Sequence, residues 1–462
     1  MEKQLIPNIF EYFSHLPNNW LIGCDSSEVI RIIEQKLHNL TQLANLKTSP
    51  IILLAEREPV QFIASFIAAC QAGCPIFLGN PNWVKQEWQQ VFELVNPDLI
   101  WGKEAVAEKS NYQSPITNYQ LPITNYQLIM IPTGGSSGKI RFAIHTWETL
   151  MASVAGFKQY FQLSQVNSFC ILPLYHVSGL MQFIRSFTTN GRLVIMSFKT
   201  LINGEKYDIN PADFFISLVP TQLQILLQNP DMASWLSRFN TVLLGGAPAG
   251  DSLLEEARKQ HIRLSPTYGM TETASQIVTL KPEDFLAGNN SYGQVLPHAQ
   301  VKIDANNNQQ IGNIMINSDS LTLGYYPEIF VNRDNFQTDD LGYFDRNGYF
   351  NIVGRSSDKI ITGGENVFPA EVESAIIASG LVKDVCVIGL ADSHWGQIVT
   401  AVFVPINLEV SIRDLEIAIE DKLTKFKRPK YWILVEDLPR NAQGKINREV
   451  LQEKVLLQSK HI

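Results

Sequence analysis

Ile131 to His145 reads IPTGGSSGKIRFAIH. Thr133, Gly134, Gly135, Ser136, Ser137 and Gly138 follow one another, all small or hydroxylated. The apolar run Leu128-Ile129-Met130-Ile131 comes before them, and the alternating run Ile140-Arg141-Phe142-Ala143-Ile144-His145 overlaps the end. The pattern predicts a strand, a supple loop and a second strand. Glycines let backbone N–H groups approach a ligand closely, and the hydroxyls add donors suited to phosphate oxygens. A Walker A loop does not fit. Three residues rather than four separate Gly134 from Gly138, and Ile140 stands where a Mg-binding Ser or Thr would follow Lys139. The segment after the loop also alternates like a strand, where a P-loop needs a helix. By composition alone, a nucleotide loop and a flexible surface linker both stay open.

A chain of 462 residues has room for two or more domains and ample core. Hydrophobic residues make up 45% and charged residues 18%, as in soluble globular proteins. A formal charge of -8 argues against nucleic acid as a partner, and the densest basic run, Lys425-Phe426-Lys427-Arg428-Pro429-Lys430, is short. Cys24, Cys70, Cys74, Cys170 and Cys386 are odd in number and scattered, which argues against a disulfide framework. Cys70 and Cys74 lack a second ligand pair for a metal. The N-terminus leads into no long apolar core, so no signal peptide is read there. Gln71, Gly73 and Pro75 interrupt the apolar run from Phe62 to Gly79, which parses as helix, turn and strand, with no membrane span. These features predict a cytoplasmic protein.

Working outward along the chain, helices are expected at Ser27–Leu43, Pro59–Ala72 and Val84–Leu94, with strands at Ser49–Ala55, Pro75–Leu78 and Leu99–Trp101. Such alternation predicts a parallel α/β layer. From Asn111 to Leu128 the units NYQSPIT, NYQLPIT and NYQL repeat; Pro115 and Pro122 exclude a coiled coil, leaving an inserted extended loop. A helix at Thr146–Phe161, with Thr146 as N-cap, precedes a strand at Phe169–Leu172 and a helix at Met181–Phe187. Strands at Leu193–Met196, Phe214–Val219 and Thr241–Leu244 end in polar or Gly/Pro turns, the edge where open α/β sheets bind ligands. Past Glu283 short strands and turns dominate, with an Asn-rich turn at Asn306–Asn308 and a hairpin turn at Asn347-Gly348. Beyond Asn351–Lys359 the alternation starts afresh: helices at Pro369–Ala378 and Ile412–Leu423, strands at Asp384–Gly389, Val399–Val404 and Tyr431–Val435. The expectation is a large α/β domain of layered sheets over 1–354 and a small α+β domain over 355–462.

In this order the motifs resemble the adenylate-forming superfamily of acyl-CoA synthetases, adenylation domains and luciferases, over about Ile51 to Leu451. The opening loop resembles its phosphate loop, with Gly134 in place of a usual Ser and Arg141 in place of a usual Lys; Arg keeps the charge. Thr267-Tyr268-Gly269-Met270-Thr271-Glu272 resembles the adenine and Mg²⁺ motif. The resemblance implies that Tyr268 faces adenine, Thr271 the α-phosphate and Glu272 the metal; by itself such a run also reads as a helix-capping turn. Gly245-Gly246-Ala247-Pro248 resembles the wall beside adenine. Thr338-Asp339-Asp340 resembles the Thr-Gly-Asp motif, with Asp339 in place of Gly. Asp340 would take the ribose hydroxyls, since one carboxylate can accept from both; alone it reads as a solvated acidic turn. Arg355 resembles a second ribose contact and Asp358 the hinge between the two domains. Gly363 and Gly364 resemble the loop lining a thiol tunnel. Pro439 to Ile446 resembles the motif carrying the catalytic lysine, here Lys445. The implied fold is that of adenylate-forming enzymes, with ATP, Mg²⁺ and CoA as cofactor and co-substrates.

Leu172 to Arg185 reads LPLYHVSGLMQFIR, and with Ser217–Gln222 and Tyr268–Gln276 it resembles the o-succinylbenzoate–CoA ligases of menaquinone and phylloquinone synthesis. That resemblance implies conversion of an aromatic diacid, ATP and CoA into an acyl-CoA, AMP and diphosphate through an acyl-adenylate. His176 matches the gate between the ATP and acyl sites, beside Ser178; as a residue it also reads as a core histidine. Arg185 lies on an otherwise apolar helix and matches a clamp for the diacid's second carboxylate. A surface Arg or an internal ion pair is the alternative. Another aryl- or acyl-acid CoA ligase, an aryl-acid adenylating enzyme and a non-catalytic nucleotide-binding protein remain open at this level.

Overall fold

The computed structural model describes residues 12, 15–17, 19–44, 49–110, 126–134, 139–205, 207–305, 310–392, 394–440 and 446–459. The repeat at 111–125, the loop core Gly135–Gly138, the turn at 306–309 and Asn441–Lys445 lie outside the described residues.

Two large sheets dominate the N-terminal part. One has seven strands, in the order Glu328–Ile329, Gly324–Tyr325, Ile140–Thr146, Leu128–Gly134, Ile76–Leu78, Ile52–Leu54, Leu99–Trp101. The last four are parallel, as the strand and helix alternation predicts. The other has eight: Leu21–Ile22, Leu193–Ile195, Ser168–Cys170, Phe215–Leu218, Thr241–Leu244, Leu264–Met270, Ser275–Thr279, Gln294–Val295. The first six of these run parallel, and the last two each pair antiparallel with the strand before them.

The continuous apolar runs of these strands follow from burial on both faces. Ile52 and Leu54 join one core cluster while Leu53 and Ala55 join another; Ile76 and Leu78 part from Phe77, and Ile129 and Ile131 from Leu128 and Met130, in the same way. The shared cluster also takes Cys170 and Leu193 of the second sheet, with side chains from the helices Ser26–Ala44, Pro59–Gln71, Trp147–Phe161 and Val177–Thr188. Those helices therefore lie between the two sheets. Hydrophobic residues at every turn of Pro59–Gln71 suit it to this doubly covered position, and Phe62 to Cys70 are all buried. Fully burying one such large side chain contributes about 1.5–3 kcal/mol. Thr146 is the N-cap of the 147–161 helix and accepts from the Thr149 N–H at 3.4 Å.

Beyond them, an antiparallel four-stranded sheet (Ala299–Asp304, Gly312–Ser318, Phe336–Phe344, Phe350–Arg355) leads to a smaller C-terminal domain. Its five-stranded sheet centres on the Val382–Asp392 and Gly396–Pro405 pair. Val385 and Val387 face the helices Pro369–Ile377 and Ile412–Glu420, while Cys386 and Ile388 face Arg448–Ser459.

Two boundaries differ from the sequence-based expectation. The helix expected from Met181 starts at Val177, because His176 takes the N-cap position and its carbonyl accepts from Gly179 and Leu180. The strand before the glycine-rich stretch runs on to Gly134, paired with Ile140 of the returning strand. Leu128, the last residue of the repeat, begins that strand as the apolar run predicts, paired with Thr146.

Candidate active site

The hairpin of Leu128–Gly134 and Ile140–Thr146 brings its loop end to the turn that joins Leu264–Met270 to Ser275–Thr279. That turn is tight. A side chain at Gly269 would place its Cβ 2.2 Å from the Ser275 carbonyl, and Ala274 is left-handed, with φ of 50°. The turn carries Thr271 and buries Glu272. Glu272 Oε1 accepts from the Tyr325 phenol at 2.6 Å and from the Thr133 hydroxyl at 3.5 Å. Arg141 stacks on the Tyr325 ring, 4.1 Å from its centroid. Burial and the neighbouring carboxylate of Glu272 push the Tyr325 phenol above its usual range, so it stays a donor. His145 fixes the other side of the turn: its Nε2 donates to the Thr271 carbonyl at 2.8 Å, and its Nδ1 lies 3.0 Å from Thr149 Oγ1. Burial drives His145 down to about 4, so the ring is neutral at pH 7.

A second set forms where the eight-stranded and four-stranded sheets meet. The Tyr268 phenol donates to Asp340 Oδ2 at 2.9 Å, and Arg355 Nε lies 3.5 Å from Asp340 Oδ1, across a direct strand pairing. Beside them, the exposed turn Gly246-Ala247-Pro248 follows the neighbouring strand. Gly246 takes φ of 82°, and a Cβ on Gly245 would fall 2.6 Å from Thr267 Oγ1, so small residues let the two strand ends lie together. Glu272 and Tyr268 are four positions apart on one strand and turn, so the two sets flank one cleft.

The helix Val177–Thr188 leads away from this cleft. Ser178 and Arg185 are seven residues apart, hence on one face and about 10 Å apart along the axis. Ser178 is exposed and Arg185 only 3% exposed, so that face passes from solvent to interior. His176 is half-buried at the helix start, its ring edge-on to Tyr175 at 4.6 Å. Arg185 Nη2 donates to Gln276 Oε1 at 2.8 Å and to Ser275 Oγ at 3.1 Å, and the guanidinium covers the Phe157 ring at 4.3 Å. Among the described residues no carboxylate pairs with it. Burial pushes Arg185 down to about 9.

Thr133, Arg141, Tyr268, Thr271, Glu272, Asp340 and Arg355 are thus brought together, with Gly246 to Pro248 alongside. Gly135, Ser136, Ser137, Gly138 and Lys445 lie outside the described residues. The flanks of Lys445 are pinned: Arg440 bridges to Ile446, and Arg440 pairs with Asp384 at 2.5 Å. Asp358 pairs with Arg448 at 3.4 Å, and Gly363 and Gly364, with φ of 60° and 86°, turn the hairpin between Ile360–Thr362 and Glu365–Val367. Neither reaches the cleft residues through any contact among those above. A surface cavity of about 600 Å³ beside Trp20, Leu21, Gly23 and Arg192 holds none of the expected site residues.

Tyr325, His145, Ser275 and Gln276 were given no role by sequence. Their contacts span 53, 126, 90 and 91 positions, and no local pattern signals them, although His145 breaks an otherwise apolar strand end.

Family models described as AMP-binding enzyme and AMP-binding enzyme C-terminal domain match residues 104–326 and 371–445. A 2-succinylbenzoate–CoA ligase of Listeria monocytogenes is 30% identical over 92% of this chain and 93% of its own length. One from Oceanobacillus iheyensis is 36% identical over a shorter alignment, 61% of this chain and 60% of the relative. The o-succinylbenzoate CoA synthetase of Bacillus subtilis, solved in complex with its acyl-adenylate intermediate, superposes with a TM-score of 0.83 at 26% identity, over 96% of this chain and 98% of that one. Its complex with ATP and magnesium gives a TM-score of 0.80 at 25% identity, over the same shares.

Proposed function

The chain belongs to the AMP-binding enzyme family, the adenylate-forming superfamily, and from that membership we propose that it is a 2-succinylbenzoate–CoA ligase. It activates the succinyl carboxylate with ATP, releases diphosphate, and transfers the acyl group from AMP to CoA, a step of menaquinone or phylloquinone synthesis. The observation that carries the choice of acid is Arg185. A buried guanidinium with no carboxylate beside it among the described residues is costly unless a ligand supplies the charge. A diacid bound with its reacting end near His176 extends its second carboxylate along the Ser178–Arg185 face.

In this reading Tyr268 and the Gly246–Pro248 turn flank the adenine, and Asp340 with Arg355 holds the ribose. Thr133, Gly134 to Gly138 and Arg141 take the β- and γ-phosphates, and Thr271 the α-phosphate. Glu272 suits Mg²⁺: both its contacts use Oε1, which leaves Oε2 for a cation that otherwise takes phosphate and water oxygens. Bound there, the ion neutralises charge on the phosphates. The carboxylate must attack an anionic phosphorus, so preorganised cations matter most; Lys445 bridges the two anions as charge gathers between them. His145 holds the Thr271 backbone still while this happens. Residues 1–354 form the adenylation domain and 355–462 the mobile domain. Asp358 is the pivot that brings Gly363 and Gly364 to the thiol tunnel for the second step.

The test is product analysis with ATP, Mg²⁺, CoA and a panel of acids. AMP, diphosphate and a thioester formed with 2-succinylbenzoate alone are expected. Equal turnover of benzoates or fatty acids would overturn the choice of acid, and no AMP with any acid would overturn the ligase reading.

A further inference from the structure

The interior end of the Val177–Thr188 helix holds more hydrogen-bonding capacity than Arg185 contributes. Three side chains there carry buried nitrogens without a partner: Arg185 at Nε, Gln276 at Nε2, and His298 at both ring nitrogens. Gln276 turns its Oε1 toward Arg185 and toward Ser275 Oγ, at 2.8 and 2.5 Å, so its NH₂ points elsewhere. His298 lies just before the strand Ala299–Asp304, and its carbonyl is held by Ser318 Oγ at 3.0 Å and the Asp319 N–H at 3.3 Å. Its ring presses against the Trp147–Phe161 helix at Gly156, where a Cβ would come within 1.8 Å of Nδ1. The next residue, Phe157, carries the Arg185 guanidinium on its ring. The imidazole and the guanidinium therefore sit on consecutive residues of one helix. Burial and then the charge of Arg185 push His298 down to about 4, against an upward pull from Asp319. At pH 7 the ring is neutral, with one N–H to donate.

A buried donor left unmade is costly, so three such side chains, two packed on Gly156 and Phe157 and the third bonded to Arg185, call for an acceptor. We propose that His298 is a specificity-determining residue for the acid, forming with Arg185 and the Gln276 amide the receptor for the substrate's second, non-reacting carboxylate. The proposal rests on the diacid reading above and adds residues to it. A carboxylate offers two oxygens and about four acceptor positions, enough for Arg185 Nε, Gln276 Nε2 and one His298 N–H together. A neutral imidazole supplies its donor without setting a second cation against Arg185. Gly156 leaves the room that the ring occupies. A monoacid would bury all three donors unanswered, and a site built to hydrogen-bond a group discriminates strongly against an analogue lacking it.

The experiment compares 2-succinylbenzoate with 3-benzoylpropionate, the same ketoacid without the ring carboxylate, on the full chain. In His298→Ala the preference in kcat/KM for the diacid over the monoacid should shrink roughly ten- to a hundredfold, with the loss carried by KM. His298→Asn, which keeps an N–H, should recover part of it, and serves in place of the alanine variant if that one does not fold. Gly156→Ala, which displaces the ring without removing it, should reproduce the loss. A preference unchanged in His298→Ala and Gly156→Ala, with wild type active on the diacid, overturns the role of His298 alone. A parallel fall in both acids overturns it too, by showing a merely structural part. Wild type inactive on the diacid would overturn the proposed function with it.

Discussion

Arg185 and His145 are both fully enclosed, yet their burial has opposite consequences. Arg185 remains a cation whose hydrogen bonds go only to neutral groups, Ser275 and Gln276. Truncating it in Arg185→Ala should cost about 2–5 kcal/mol of diacid binding, as for other desolvated charge pairs. The measurement is KM for 2-succinylbenzoate against KM for ATP, and an unchanged acid KM would remove Arg185 from the acyl site. His145 instead sheds its charge. Its pKa stands at about 4 in the folded chain against 6.5 for an ordinary imidazole. Above pH 6.5 neither state is protonated, and the group is neutral to stability. Between 6.5 and 4 the unfolded chain binds the proton and the folded chain does not, so stability falls as pH falls through that window. The loss is on the order of 3 kcal/mol once complete. Denaturant unfolding from pH 7 to 4 should show a shallower acid slope in His145→Asn than in wild type; equal slopes would mean that another group carries the acid sensitivity.

Between elements, the segment from Arg355 to Asp358 is held more firmly than a free hinge. Asp339 accepts from the Ser357 N–H at 3.1 Å and from the Ser357 hydroxyl, and its carbonyl takes the Ser356 N–H at 2.7 Å. This carboxylate stands where the superfamily motif has Gly, so the tether is particular to a chain reading Thr338-Asp339-Asp340. On the reading that Asp358 is the pivot, Asp339→Gly releases one side of it. Each exposed bond is worth about 0.5–1.5 kcal/mol, so thioester formation from a preformed adenylate should speed up by about fivefold, with adenylation unchanged. Single-turnover kinetics of the two half-reactions would check this, and an unchanged second step would show that the tether does not resist rotation. Arg448, joined to both Asp358 at 3.4 Å and Glu373 at 2.6 Å, holds the segment from the C-terminal side.

At the scale of the molecule, the two half-reactions ask different things of two domains. The cleft residues that converge around Glu272 and Asp340 all belong to the sheets before Asp358, whereas Lys445 belongs to the C-terminal domain. If Lys445 acts only in adenylation, Lys445→Ala should lower that step about a hundredfold to a thousandfold, the usual effect of removing one transition-state donor. Thioester formation from a supplied acyl-adenylate should survive. Rapid-quench assays of each half-reaction decide it: equal loss in both would mean that the lysine has a structural part.

The layered α/β arrangement was legible in the sequence. Leu53 and Leu54 alternate between two cores because a strand turns successive side chains to opposite faces, and that period is written in the chain. Thr271 and Glu272 sit in the tight turn that their small and polar neighbours suggest, whereas Asp340 lies within the Phe336–Phe344 strand and was singled out by family resemblance alone. What Arg185 and Glu272 meet was legible only in the folded chain. Gln276 lies 91 positions from Arg185, Tyr325 lies 53 from Glu272, and His298, at the start of the four-stranded sheet, meets Gly156 on the Trp147–Phe161 helix. Periodicity fixes which face of an element is buried, but not which residue of another element it meets. That depends on how the helices seat between the two sheets, and it is settled by packing across the whole domain.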